Sequence, residues 1–467
     1  MTAKIQRGMR RKPDLETVYS INADGSRNML QPADVRGRWH KRRNWIFLAL
    51  IAFYVIVPWL RMDGAPLLRF DVPNRTAYIV GHTFTRDDFF LVFFLLTGFG
   101  FALFAVTSLL GRVWCGYACP QTVFLEGVYR RIEIGVEGDH HPRAKRNKGP
   151  WNFDKLWRKS LKQLLFLALT LAITHTLLAY FLPVEELLPA LLAGPSTHWV
   201  AFAWTMALSA VIYFDFAWFR EQFCVILCPY GRLQSALIDD DSVVIGYDEK
   251  RGEPRGPKGR AEGACIDCGS CVNVCPTGID IRNGLQLECI GCTNCVDACD
   301  SIMRQIGRPE GLIRYDSLRG FQGGKHRWLR PRVFLYVGLA LLGLTVFLFT
   351  ASGRSSFEAA PLRARGMPYT LEDQRIQNLY SIHVQNKGVE PRRFALEAYI
   401  ADGAQAPAVD WRLGATEVEL ESLGEATVSV FASVDRALYR APFPVGVRVR
   451  DVATGETVVV DLNFQGP

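Results

Sequence analysis

Two short runs of cysteine carry a recognisable chemistry. CIDCGSCVNVCP places Cys265, Cys268, Cys271 and Cys275 two, two and three residues apart, with Pro276 after the last. CIGCTNCVDAC repeats the spacing with Cys289, Cys292, Cys295 and Cys299. Three closely spaced thiolates wrap three corners of an iron-sulfur cubane, and the fourth reaches a different cluster, so each run depends on the other. Cys265, Cys268, Cys271 and Cys299 are therefore expected to hold one 4Fe-4S cluster, and Cys289, Cys292, Cys295 and Cys275 its pseudo-symmetric neighbour. A pair of structural zinc sites is the competing reading, because C-x-x-C pairs also bind zinc tetrahedrally. Zinc has no use for the doubled repeat. Asp300 stands where a second proline is usual, which leaves the ligand spacing intact.

Four further cysteines form two spaced pairs. Cys115 and Cys119 lie in RVWCGYACPQ just after one apolar stretch, and Cys224 and Cys228 lie in REQFCVILCPYGR just after another. If each pair is locally helical, the i, i+4 spacing puts both sulfurs on one face and the proline that follows disturbs the next turn. Thiols so placed suit a soft metal ion such as Cu(I), a dithiol-disulfide cycle or a further cofactor, and buried structural cysteine is the plain alternative. Matched positions in two copies favour function.

The elements that position these thiols follow from composition. Hydrophobic residues make up 49% of the chain and aromatic residues 12%, alongside 54 Lys and Arg, which is the mixture expected when apolar spans alternate with charged loops. A purely soluble chain is excluded. The net charge of +8 does not call for nucleic acid, because the basic residues sit beside apolar stretches, where orientation in a bilayer accounts for them. Five stretches are read as spans, near 44–60, 88–111, 160–182, 197–219 and 332–351. Lys and Arg concentrate before the first span and in the second and fourth loops. That asymmetry places the N-terminus and the cysteine-rich segment in the cytoplasm of a bacterial inner membrane, and the C-terminal region in the periplasm. No cleavable signal peptide is expected, since the first apolar run starts near Trp45 after a long charged leader.

The expected architecture is a multi-domain membrane protein. A basic segment at 1–43 precedes a membrane domain at 44–250 that holds four spans and both C-x-x-x-C-P pairs. A ferredoxin-like α+β domain follows at 251–331, then the last helix of a five-helix transmembrane bundle. From 353 to 467 NLYSIHVQ, RRFALEAYI, ATVSVFASV and ETVVVDLNF alternate at strand period, as in a small all-β, immunoglobulin-like sandwich.

Other residues are weighed against plainer roles. Asp215, His175 and Lys162 stand at apolar positions, where ionisable groups are functional candidates. Equally, Asp215 can pair with Arg220, Lys162 can snorkel, and His175 can bond a neighbouring helix. His140 and His141 fit a solvated basic loop better than a metal site, and His383 fits a strand surface. Residues 251–260 read as a flexible connector, and RGRWHKRR as a stretch that touches anionic lipid.

RGRWHKRRNWIFLAL, GRVWCGYACPQTVF, FREQFCVILCPYGRLQSALIDDDSVVIGYDEKRGEPRG, the doubled cysteine motif with GLQLECIGC, and GRPEGLIRYDS together span most of residues 35–320. They resemble the cytochrome oxidase accessory proteins called FixG, RdxA or CcoG, which are associated with maturation of cbb3-type oxidase. The C-terminal region resembles that family's immunoglobulin-like domain by position and strand pattern. The resemblance implies reduction of cytoplasmic Cu(II) to Cu(I), with Cys115, Cys119, Cys224 and Cys228 taking part in copper handling. It further implies a cytoplasmic electron donor, a copper transporter or chaperone, and cbb3-type oxidase assembly factors as partners; a homodimer is left open. Two other readings stand beside it: a quinol-linked electron conduit, and a non-catalytic scaffold that docks the oxidase through the sandwich.

Overall fold

The computed structural model describes residues 29–467 apart from 63, 86–87, 258–261, 353–354, 363–368, 373, 389 and 402–405. Most of the expected basic leader, and the end of the expected connector at 251–260, lie outside the described residues. Packing divides the chain into two units, residues 1–59 with 94–345, and residues 60–93 with 346–467.

Long helices dominate the first unit: α1 (Arg38–Ile56), α2 (Phe89–Leu110), α3 (Phe153–Leu178), α4 (Trp199–Phe214) and α5 (Pro331–Ser352). Among the described residues four helices are long and apolar enough to cross a bilayer: Phe90–Leu110, Phe153–Leu178, Trp199–Phe219 and Pro331–Ser352. Their outward faces expose Phe93, Leu96, Phe99, Leu164, Trp204, Val211, Leu341 and Phe349. Water does not tolerate apolar surface on that scale.

The expected span at 44–60 is different. Its helix begins at Arg38, so Arg38, Lys41, Arg42 and Arg43 occupy the first turns, and Val57–Trp59 tightens into a 3₁₀ turn. The apolar helical part is therefore shorter than the others. Helix α3 also starts earlier than the expected 160, because Asn152 caps it by accepting from the Lys155 N–H at 2.8 Å, and it ends at Leu178.

Small residues let α2 and α5 approach closely. A Cβ added to Gly343 would lie 2.9 Å from the Phe94 carbonyl oxygen, and one on Gly98 would lie 3.2 Å from the Leu344 nitrogen. Backbone contact of this kind needs glycine on both sides. Hydroxyl groups join α3 to its neighbours: Ser209 Oγ donates to Thr174 Oγ1 at 3.1 Å, and Tyr129 bonds Thr170 at 2.7 Å.

Both cysteine runs are bracketed by an antiparallel strand pair, Val244–Tyr247 with Ile313–Asp316, in register Ile245 to Tyr315. The first strand thus precedes the expected start of the ferredoxin-like segment at 251. Residues Ile245, Ile281, Val296, Met303, Leu312 and Ile313 fill the core beneath the cysteines.

The second unit contains the expected sandwich. One sheet orders strands Asp410–Leu413, Glu425–Asp435, Arg375–Asn386 and Phe357–Leu362, with Thr370–Glu372 on the edge; the other orders Glu417–Leu420, Arg392–Ile400, Phe443–Asp451 and Thr457–Phe464. Alternation decides which side chains enter: Val428, Val430, Ala432 and Val434 are buried while their neighbours face out. Phe357 and Phe394 meet between the sheets with ring centroids 4.8 Å apart. Residues of the first loop join this unit as a three-stranded sheet, Leu68–Asp71, Thr76–Ile79 and His82–Phe84. The sequence had offered that stretch only as a connection.

Candidate functional site

The eight clustered cysteines line two cavities. Cys265, Cys268, Cys271 and Cys299 surround one, with Arg282, Met303 and Leu312. Cys275, Cys289, Cys292 and Cys295 surround the other, with Pro276, Ile281 and Ile290, and Cys271 reaches its wall as well. Each cavity gathers cysteines of both runs. No disulfide joins any of these cysteines.

Backbone conformation explains how the two runs curl. Asp267 and Gly269 flank Cys268 with φ of 52° and 71°, and Gly291 and Thr293 flank Cys292 with φ of 69° and 65°. Left-handed residues at equivalent places wind each run about its cavity and turn N–H groups toward the sulfurs. The Gly291 and Asn294 N–H groups approach Cys289 and Cys292. Asp267, strained for a residue with a Cβ, is held by Arg282 at 2.6 Å, which also pairs with Asp280 at 2.7 Å.

Burial pushes these thiols up: Cys271, Cys289 and Cys299 to about 12, Cys292 to about 11, and Cys295 well above its ordinary value. A bare thiolate is costly in so apolar a cavity, and only bound cationic metal makes the anionic ligand stable there. Among the described residues no three Cys, His, Asp or Glu side chains are gathered tightly enough to grip a single ion. Sulfurs arranged around two cavities suit cubanes, which hold their ligands apart.

The C-x-x-x-C-P pairs share a second geometry, which departs from a continuous helix. Cys115 lies in the short helix Val113–Tyr117 and Cys224 in the π-turn Phe223–Leu227. Cys119 and Cys228 are both extended N-cap residues, with φ, ψ of −63°, 125° and −68°, 110°. Pro120 and Pro229 each begin the following helix at its first position, where a missing N–H costs nothing. The proline therefore starts a helix instead of disturbing one. Both second cysteines end up at helix N-termini, where N–H groups favour an anionic sulfur. Gln121 and Thr122 direct their N–H groups at Cys119.

The four thiols lie within electrostatic reach of one another. Burial drives the Cys224 thiol up, and Cys119, Cys115 and Cys228 add to the effect. Cys115 is pushed up to about 11 by burial, against a side-chain hydrogen bond from Gln234 at 3.1 Å. The two halves also grip each other: Gln121 donates to Asp215 at 3.2 Å and to the Arg220 carbonyl at 3.1 Å, while Arg112 reaches the Gly231 carbonyl at 3.4 Å.

This quartet is seated on the second cysteine cavity. A Cβ on Gly116 would lie 2.5 Å from the Gly291 carbonyl oxygen, so the two loops touch backbone to backbone. Arg112 donates to the carbonyls of Leu287 and, at 3.0 Å, Cys289; Tyr117 and Thr293 share a hydrogen bond of 3.1 Å; and Arg43 from α1 donates to the Cys292 carbonyl at 2.7 Å.

A buried ionic network that the sequence reading missed anchors the turn before Cys224. Glu126, Arg130, Glu133 and Glu137 line one face of the segment after Pro120. Arg130 pairs with Glu126 and Glu221, Glu133 with Arg220 and Arg143, and Glu137 with Lys162 at 3.1 Å. Burial alone would raise Glu133, but Arg220, Arg143 and Lys162 outweigh it and hold the carboxyl below its ordinary range. The repeat at i, i+4 was the available signal. Arg220 thus pairs with Glu133 and not with Asp215, and Lys162 has carboxylate partners. His175 bonds Leu171 of its own helix at 2.7 Å, not a neighbouring one. His140 bonds the Gln31 carbonyl, and His383 lies 3.4 Å from Glu425 on the sandwich.

Residues 219–318 match the 4Fe-4S dicluster domain family, residues 91–143 a 4Fe-4S binding domain, and residues 347–467 the IG-like fold at the C-terminal of FixG. Protein RdxB of Cereibacter sphaeroides is 36% identical over 490 residues, covering 97% of this chain and 99% of that protein. Protein RdxA of the same organism is 36% identical, covering 79% and 82%. Nitrogen fixation protein FixG of Rhizobium meliloti is 34% identical, covering 82% of each. A crystal structure of a FixG-related protein from Vibrio parahaemolyticus, 16% identical, covers 24% of this chain and 96% of its own with a TM-score of 0.20. With identity sustained across nearly the whole length of RdxB and four-fifths of RdxA and FixG, this iron-sulfur chain belongs to the FixG, RdxA and RdxB family.

Proposed function

We propose that the chain is a membrane-bound cupric reductase that supplies Cu(I) for assembly of a cbb3-type oxidase. Cys265, Cys268, Cys271 and Cys299 hold one 4Fe-4S cluster, and Cys289, Cys292, Cys295 and Cys275 hold the other. Bound there, the clusters supply one-electron carriers, and Cu(II) is the substrate that each electron converts to Cu(I). Cys271, on the wall of both cavities, keeps the two sites adjacent. The observation that carries the reading is the backbone contact of Gly116 with Gly291, which sets Cys115 and Cys119 directly on the loop of Cys289 and Cys292. Soft thiolates favour the cuprous product over the cupric substrate.

In this reading α1 completes a five-helix bundle, with the cysteine-rich segment cytoplasmic and the sandwich periplasmic. Resemblance to the family supports the copper assignment, and the distribution of Lys and Arg supports the orientation. The test is anaerobic. Purified protein reduced by dithionite and freed of excess reductant receives Cu(II), and a Cu(I) chelator reports the product. One Cu(I) formed per cluster reoxidised supports the proposal; clusters that stay reduced beside free Cu(II) overturn it, and a pure docking scaffold then becomes the better account.

A further inference from the structure

The two cysteine cavities are unlike in charge. Beside Cys289 and Cys292 stand Arg43 and Arg112, 2% and 8% exposed. Arg43 donates to the Cys292 carbonyl at 2.7 Å, and Arg112 to the carbonyls of Leu287, of Cys289 at 3.0 Å and of Gly231 at 3.4 Å. Among the described residues their hydrogen bonds all run to carbonyls, and the Nε of each is buried without a partner. Glu126 also acts on Cys292, but Arg130 pairs with it at 2.5 Å and bonds the Pro276 carbonyl beside Cys275 at 3.4 Å. The other cavity has the opposite balance. Arg282 on its wall is shared by two carboxylates, Asp267 at 2.6 Å and Asp280 at 2.7 Å. Asp300, next to Cys299, is buried and accepts from the Gly311 N–H at 2.9 Å, while its cation Arg38, at 3.5 Å, is 62% exposed and screened by water. Burial pushes Cys271, Cys289, Cys292 and Cys299 up. Beyond burial, Arg43 and Arg112 draw Cys292 and Cys289 down, whereas Asp280, against Arg282, and Asp300 push Cys271 and Cys299 further up.

An electron added to an iron-sulfur site adds one negative charge, so a buried cation beside it favours reduction and a buried carboxylate opposes it. We infer that Arg43 and Arg112 make the Cys289 cavity the site where the reducing electron comes to rest, beside the membrane-face thiols. In this step the four-iron site of Cys265, Cys268, Cys271 and Cys299 is oxidised by one electron and that of Cys289, Cys292, Cys295 and Cys275 is reduced by one; no bond or proton moves. Cys271, on the wall of both cavities, keeps the step short. Both arginines are positioning residues: they touch the ligand loop and act on the electron through their charge. Arg112 faces the thiols too, because its guanidinium joins the Cys289 carbonyl to that of Gly231, in the helix that Cys228 caps, and it acts on Cys115 as on Cys289. Asp300, which stands where a second proline is usual, gives the other site its buried anion. The inference rests on the four-iron ligation of the proposed function and not on copper.

The test is an anaerobic redox titration of the cluster-loaded full chain in detergent at pH 8, with electron paramagnetic resonance of the reduced clusters as the signal. The wild type is expected to fill in two steps, the first cluster favoured at least tenfold over the second, which is about 59 mV. Arg43→Gln and Arg112→Gln should each lower the first step, and Asp300→Asn, which keeps an acceptor for the Gly311 N–H, should raise the second. Each of the three should cut the preference at least threefold. Arg112→Lys, which keeps the charge and loses the fork, should stay within twofold of the wild type. A single step in the wild type, a first step that Asp300→Asn moves or that either glutamine variant leaves unmoved, or a loss in Arg112→Lys as large as in Arg112→Gln overturns the inference. Should a glutamine variant lose iron, Asp300→Asn and Arg112→Lys decide: the second step alone must rise in one, and the first must hold in the other. Each reduced sample is then given Cu(II). Ordered filling without Cu(I) removes the copper reading and leaves this inference standing, and Cu(I) without ordered filling does the reverse.

Discussion

Glycine at two matched places decides whether the thiol loop can sit on the cluster loop. Gly116→Val would place side-chain atoms where the Gly291 carbonyl now stands, and Gly291 itself adopts φ of 69°. The expected result is a protein that keeps its iron and sulfide but reduces Cu(II) at least tenfold more slowly, read by stopped-flow reoxidation. Asp451 offers a pH-dependent test at the same scale. Burial raises its carboxyl, but the N–H groups of Ala453 and Thr454 and the guanidinium of Arg392 at 2.8 Å hold it below the ordinary range. A depressed folded pKa stabilises the sandwich above the unfolded value, and that stability is lost as pH falls through the folded value. Asp451→Ala should cost about 2 to 3 kcal/mol near neutral pH and remove part of the acid sensitivity below about pH 4, measured by hydrogen exchange on strands Arg392–Ile400 and Phe443–Asp451. Cysteine spacing was legible in the sequence because ligand chemistry fixes it. The partners of Arg220 and Glu133 were not, because they come from four separate stretches that only the fold brings together.

Helices explain where periodicity and length succeed and where they mislead. Three of the expected spans lie within about two residues of observed apolar helices, since length and hydropathy are nearly sufficient for them, while α3 starts well before its expected bound. Helix α1 is less clear, because its basic first turns shorten the apolar stretch and seat Arg43 on the Cys292 carbonyl. The short helices after Cys119 and Cys228 were misread as disturbed turns: proline at the first position starts a helix as readily as it ends one. For α2 and α5, Gly98 and Gly343 predict a second element-scale result. Gly343→Leu should force the helices apart and lower the thermal midpoint in detergent, whereas the same change at Gly338, where a Cβ meets nothing within 4 Å, should leave it nearly unchanged.

At the scale of the whole molecule, one arrangement joins both kinds of thiol site. Duplicated halves, each a span followed by a π-turn or short helix and a cysteine N-cap, bring four thiols together beside a duplicated cysteine repeat. Sequence alone offered each pair separately. Their meeting, and their seat on Gly291, depend on chain folding over more than 170 residues between Gly116 and Gly291. The measurement that tests this account most directly replaces Cys115, Cys119, Cys224 and Cys228 together by serine and compares iron content with copper reduction. The account predicts eight irons per chain retained and at least a hundredfold loss of Cu(I) formation from prereduced clusters. Unchanged copper reduction with all four thiols absent would contradict it.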